Sequence, residues 1–144
     1  MSNIGFEEIL TQVKEFHESF GIENKSSPTV LIGKEEVELR HRLMEEENNE
    51  YIEAAKNNDL VEVADALGDM LYILCGTILK HGMQDVIIPV FQEIQRANMS
   101  KLDENGMPIF RADGKVMKSS KYQAPNIEKV LFDFKNKLDE YDEI

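Results

Sequence analysis

Cysteine is almost missing from this 144-residue chain. Cys75 stands alone in an apolar stretch, which excludes an intrachain disulfide and makes a buried thiol the plain reading. Long apolar runs are missing too. No stretch approaches the roughly 18 apolar residues that a membrane span needs, and the opening "MSNIGFEEIL" shows no basic region followed by an apolar one. A cytoplasmic protein with no membrane partner is therefore expected. Positive charge is scarce: 16 Lys and Arg against 28 Asp and Glu leave a net charge of −12, which argues against nucleic acid as a partner. There is no internal repeat and no low-complexity tract. What remains is 42% apolar and 31% charged, the balance of a soluble globular protein, and the length suits a single domain over 1–144.

The scarcity of positive charge has one exception. From Arg96 to Lys121 six basic residues (Arg96, Lys101, Arg111, Lys115, Lys118, Lys121) outnumber three acidic ones (Asp103, Glu104, Asp113), for a net of +3; the remainder of the chain nets −15. A cationic segment on an acidic protein is a candidate anion grip, with solvated surface lysines as the alternative.

Apolar spacing predicts helices along most of the chain. "FEEILTQVKEFHESFG" places Phe6, Ile9, Val13, Phe16 and Phe20 at helical intervals and stops at Gly21. After a polar connection broken by Pro28, a second helix runs from about Lys34 to Asn57 without Gly or Pro. Asp59 reads as the N-cap of a third, with Glu62 at the capping-box position and Gly82 as its stop. A fourth covers "MQDVIIPVFQEIQRANMSKL", and "NIEKVLFDFKNKL" closes the chain. Between these two, the turn signals "ENGMP" and "RADGK" surround the short runs "PIF" and "KVM", which suggests a small hairpin or ordered arm over 103–125. The class is all-α: four main helices in a bundle, a C-terminal arm and a final helix.

Two of these helices carry acids where apolar residues belong. In "LVEVADALGDMLYIL", residues 60–74, apolar side chains surround the whole circumference, which predicts a buried helix. Glu62, Asp65 and Asp69 interrupt it at i, i+3 and i+7, within roughly 60° of one another at about 100° per residue. On the preceding helix Leu39, Leu43 and Ala54 mark the inward face, and Glu46, Glu47 and Glu50 take over that direction for two turns. A joint of two or three residues makes the helices antiparallel neighbours, so the stripes can face each other. A solvated face would explain "EEENNE", and the cap would explain Glu62. Asp65 and Asp69 resist this, because both stripes would then be accidents together. An unpartnered buried carboxylate costs several kcal/mol. Arg40, His41 and Arg42 lie one to two turns away and mostly off that face, so a divalent metal is the expected neutraliser. All-carboxylate ligation selects Mg²⁺ or Mn²⁺ over zinc, and this many acids suggests more than one ion. Displacement at phosphorus is the chemistry such ions serve best.

"EExxE" at Glu46, Glu47 and Glu50 followed by "ExxD" at Glu62 and Asp65 resembles the all-α nucleoside triphosphate pyrophosphohydrolases. With "VKEFHESFG", "EVADALGDMLY", "RANMSKL" and "RADGKVMKSSKYQAPNIEKVL", the chain is similar over nearly its whole length to the MazG-like, dimeric dUTPase-like subgroup. The resemblance implies metal-dependent hydrolysis of a (deoxy)nucleoside triphosphate between the α- and β-phosphates, to monophosphate and pyrophosphate, with dUTP and dCTP as candidate substrates. It implies metal ligation by Glu47, Glu50, Glu62 and Asp65, with Asp69 as a ligand or a support to one. Glu46 would orient or deprotonate the attacking water, or bind a further ion. Asn98 and Lys101 would contact sugar or phosphate, and Lys115, Lys118 and Tyr122 would grip the triphosphate tail. A homodimer or dimer of dimers is implied, with the site near a subunit interface. Phe16 and Phe20 are read as core residues, with the wall of a base pocket as their other use. Two alternatives stay open: phosphoribosyl-ATP hydrolysis, against which the cationic arm weighs, and a non-catalytic helical module that binds a partner.

Overall fold

The joint between the second and third helices shows how local chemistry sets the elements. In the computed structural model, which describes residues 3–142, five helices form: α1 Phe6–Ser19, α2 Lys34–Lys56, α3 Leu60–Lys80, α4 Ile87–Met99 and α5 Ile127–Asp142. α2 ends where Asn58 adopts a left-handed conformation, φ 55°, which lets Asp59 N–H reach back to Ala54 O at 3.0 Å. The Asp59 side chain then accepts the Glu62 N–H at 3.1 Å and opens α3. Because the Asp59 N–H is already spent on Ala54, the reciprocal half of a capping box is not made, and the Glu62 carboxylate stays out of the cap. The closing turn of α3 uses the same device. Gly82 sits at φ 66°, Met83 N–H donates to Ile78 O at 2.9 Å, and a Cβ on Gly82 would meet Ser27 O at 2.1 Å.

Among the described residues there is no strand, so the chain is all-α as expected; one isolated antiparallel bridge pairs Phe110 with Val116. No described helix is long and apolar enough to cross a membrane. The helices fall into two compact units, one ending at Gln84 and the other beginning at Asp85.

In the first unit α3 packs against both α1 and α2, around Leu10, Val13, Ala54, Ala66, Cys75, Ile78 and Leu79. His17 is buried with them and lies 2.6 Å through Nδ1 from Asn24 Oδ1; Lys80 is buried against Glu36 at 3.6 Å. The expectation of an α3 buried all round is corrected here. Leu60 and Val61 are 79% and 75% exposed, and Leu67, Leu71 and Leu74 are also exposed. Two packing partners cover only part of a helix whose apolar side chains run the full circle.

In the second unit α4 packs on α5. Glu93 is the corner piece: it takes a bidentate ion pair from Arg96, at 3.0 and 2.7 Å, and the Asn126 N–H at 2.9 Å. These donors hold its pKa down at about 2. Asn126 in turn caps α5 by accepting Lys129 N–H at 3.0 Å. Between the helices, Asp103 Oδ1 accepts the N–H groups of Asn105 and Met107. The bridge closes a turn in which Arg111 pairs with Asp113 and Gly114 takes φ 87°.

Candidate active site

α2 and α3 pack against each other with only residues 57–59 between them, so they run antiparallel and their acid stripes share one seam. Glu47 is the one half-buried carboxylate of the seam; Glu50, Asp65 and Asp69 are exposed, so the acids do not sit in a buried core as the pattern of α3 predicts. Glu47 Oε2 is buried and has no hydrogen-bond partner. Burial raises its pKa, and the negative charges of Glu50, Asp69 and Asp65, with a hydrogen bond shared with the Glu50 carboxyl, raise it further. The structure therefore brings four of the expected acids, Glu47, Glu50, Asp65 and Asp69, into one electrostatic group. Asp69, the weakest candidate in the sequence, acts on Glu47 more strongly than Asp65 does.

Glu46 and Glu62 lie on the same two helices, exposed like Glu50, Asp65 and Asp69, but neither is among the charges that shift Glu47. Nor is any cation. Arg40 lies two turns before Glu47 on α2 and is occupied at 3.8 Å with Glu36, burial lowering its pKa and Glu36 partly restoring it. Among the described residues no three acids, His or Cys already converge as a ready metal site. The seam fits a hard cation through its donor set and the orphaned Glu47 oxygen, with side-chain rotation needed to close the ligands on an ion.

Aromatic rings continue the same stripe of α3. Tyr72 follows Asp65 by seven residues and Asp69 by three, and so shares their face. Phe16 meets it edge-on at 5.6 Å and meets Phe20 at 4.5 Å. Phe16 is 40% exposed and Phe20 70%, so neither is a core residue as read from spacing alone. The i, i+3, i+7 relation of Tyr72 to the acids was the available signal for this group. A separate cavity of about 520 Å³, lined by Lys14, Asn24, Lys25, Leu79 and Gln84 among others, contains none of the acids.

The basic candidates stand in the second unit. Asn98 lies exposed near the end of α4, and Lys101 just beyond it. Lys118 Nζ sits 4.7 Å from the centre of the Tyr122 ring. Ser119 bonds to the carbonyls of Ser100 and Leu102, which places Lys118 and Tyr122 beside Lys101. Lys115 is set apart, on the turn where its carbonyl accepts Arg111 N–H.

The first unit is all-helical, with a carboxylate seam between α2 and α3, and this defines the class of protein to compare it with. Within that class the comparison with known families is specific: residues 13–98 match the family described as phosphoribosyl-ATP pyrophosphohydrolase. The chain belongs to this family and is a pyrophosphohydrolase. The matched residues carry every acid of the seam and end at Asn98, before the basic segment. No curated protein matches the chain. A similar solved structure, from Exiguobacterium sp. 255-15 and provisionally named an NTP pyrophosphohydrolase, is 26% identical, with 92% of this chain and 97% of that one covered and a TM-score of 0.48.

Proposed function

We propose that the protein hydrolyses a (deoxy)nucleoside triphosphate at the α–β phosphoanhydride, releasing monophosphate and pyrophosphate, with dUTP and dCTP as the substrates to test first. The observation that carries this reading is Glu47: a carboxylate with a buried, unpartnered oxygen among Glu50, Asp65 and Asp69, with no chain cation acting on it. Glu47, Glu50, Asp65 and Asp69, joined by Glu62 from the first turn of α3, would hold Mg²⁺ or Mn²⁺, and the number of carboxylates suits more than one ion. Bound there, the metal would supply the positive charge that lets a phosphate approach so many acids. Glu46, exposed one residue before Glu47, is the group to orient or accept a proton from the attacking water. Phe16, Phe20 and Tyr72 offer ring faces to a base. Asn98, Lys101, Lys115, Lys118 and Tyr122 would take sugar and phosphate oxygens.

Lys101, Lys115, Lys118 and Lys121, the cations of the basic segment not tied to Glu93 or Asp113, suit a polyphosphate tail, which phosphoribosyl-ATP carries too. The exposed leucines and Val61 of α3 favour a homodimer or a dimer of dimers. Hydrolysis in ¹⁸O-water tests the bond broken. Label should enter the nucleoside monophosphate; release of orthophosphate and a nucleoside diphosphate would overturn the reading. Phosphoribosyl-ATP, offered in the same assay, tests the alternative: faster turnover of it than of any nucleoside triphosphate would make it the substrate.

A further inference from the structure

The serines of "NMSK" and "KSSK" have no part in the scheme above, yet they make the densest hydrogen bonding of the second unit. Ser119 Oγ lies 2.7 Å from Leu102 O and 3.2 Å from Ser100 O, so its proton serves two carbonyls just past the end of α4. The same oxygen accepts Lys121 N–H at 3.1 Å. Ser100 Oγ accepts Gln123 N–H at 2.9 Å and donates toward Ala97 O at 2.7 Å, with Gln123 O at 3.3 Å. Arg96 adds a bond to Ala124 O at 3.1 Å, one turn earlier. The loop from 100 to 123 is thus closed at its base by two hydroxyls, while its body has only the Phe110–Val116 bridge and two turns.

The side chains flanking these hydroxyls are the ones read as the phosphate grip. Lys101 follows Ser100, Lys118 precedes Ser119, and Tyr122 stands one residue before Gln123. Ordering a lysine and its loop at the moment of binding subtracts from affinity, and a loop already closed avoids that loss.

We propose that Ser119, with Ser100, is a positioning residue for substrate binding: the serine clasp holds Lys101, Lys118 and Tyr122 together at the end of α4 before the triphosphate arrives. This rests on the triphosphate reading of the segment. A hydroxyl in this role should act on binding and leave the chemical step alone.

The test compares Ser119→Ala with Ser119→Thr, which keeps the hydroxyl, by hydrogen exchange over residues 103–121 and by steady-state kinetics. Ser119→Ala should speed exchange and raise KM about tenfold with kcat within about twofold, and Ser119→Thr should restore both. In a Lys118→Ala background the same change should raise KM clearly less than about tenfold, because one of the three groups that the clasp holds is already gone. A KM that stays put while exchange speeds up would overturn the proposal, as would full additivity with Lys118→Ala or a fall in kcat alone. Ser100→Ala, read in the same way, serves if Ser119→Ala does not fold. Should the wild type hydrolyse no nucleoside triphosphate, the functional reading fails by itself. Inorganic tripolyphosphate titrated into wild type and Ser119→Ala then decides the clasp: tenfold weaker binding supports it and equal binding overturns it.

Discussion

The carboxylate seam and the basic segment solve opposite problems. In the seam the acids ride on two long helices, so their positions follow from backbone geometry, and no chain cation answers their charges: only other acids act on Glu47. In the basic segment the backbone beyond Met99 has no helix to set it, and the local acids are spent on holding it. Glu93 takes Arg96 and Asn126, Asp103 takes two backbone N–H groups, and Asp113 takes Arg111. A rigid scaffold can afford unsatisfied charge and so store affinity for an ion. A loop must satisfy its own polar groups first and can offer only the cations left over.

This contrast predicts where damage should be deepest. Glu50→Gln removes the charge acting most strongly on Glu47 and should abolish turnover through loss of metal, with the helices intact by circular dichroism. Retained activity would break the comparison at its root. Glu46→Gln should instead lower kcat more than it raises KM.

The next effect is on stability. Facing acids repel when no cation is bound, so Mg²⁺ should stabilise the native state by roughly RT ln(1 + [L]/Kd), about 2.7 kcal/mol at a hundredfold excess over Kd. Thermal melts with and without chelator should differ for the wild type and coincide for Glu50→Gln/Asp65→Asn. Identical wild-type melts would count heavily against a metal site.

Lys118→Ala addresses the other region. It should raise KM for the triphosphate about tenfold, near 1.4 kcal/mol, while metal affinity measured without nucleotide is unchanged. A matching loss of metal affinity would show that the two regions do not divide the work as argued.

The smallest effect concerns pH. Glu93 is depressed from an ordinary value of 4.5 to about 2, so its contribution to the native state is present above the ordinary range and is lost as pH falls through that interval. Hydrogen exchange at the α4–α5 corner should therefore quicken between about pH 4 and 2 in the wild type, and Glu93→Gln should show the quickened state already at neutral pH. A corner equally protected in both proteins would remove Glu93 from its structural role.

Much of this was legible in residue order. The two long helices, the Asp59 cap, the Gly82 stop and the final helix follow from interactions within a few residues. α2 and α3 agree closely with the expected bounds, whereas α4 is shorter at both ends (Ile87–Met99) and α5 runs on to Asp142. The acid stripes were legible for the same reason, since a period of 3.6 residues says which side chains share a face. The exposure of Leu60, Val61 and Phe20 was not legible, because periodicity identifies an apolar face without saying whether anything packs on it. The serine clasp was equally hidden: Ser100 and Ser119 are separated by a segment whose path no local pattern dictates.

The sequence by itself determined that this protein is helical, that two adjacent helices carry facing acids, and that its positive charge gathers after Arg96, because each of these depends on composition or short-range spacing. Only the tertiary structure decided that Glu47 is the half-buried carboxylate, with Glu50, Asp65 and Asp69 acting on it, and that Glu62 is free of its cap. Burial and charge coupling depend on what lies across the gap from a side chain, and that is a property of how the helices pack.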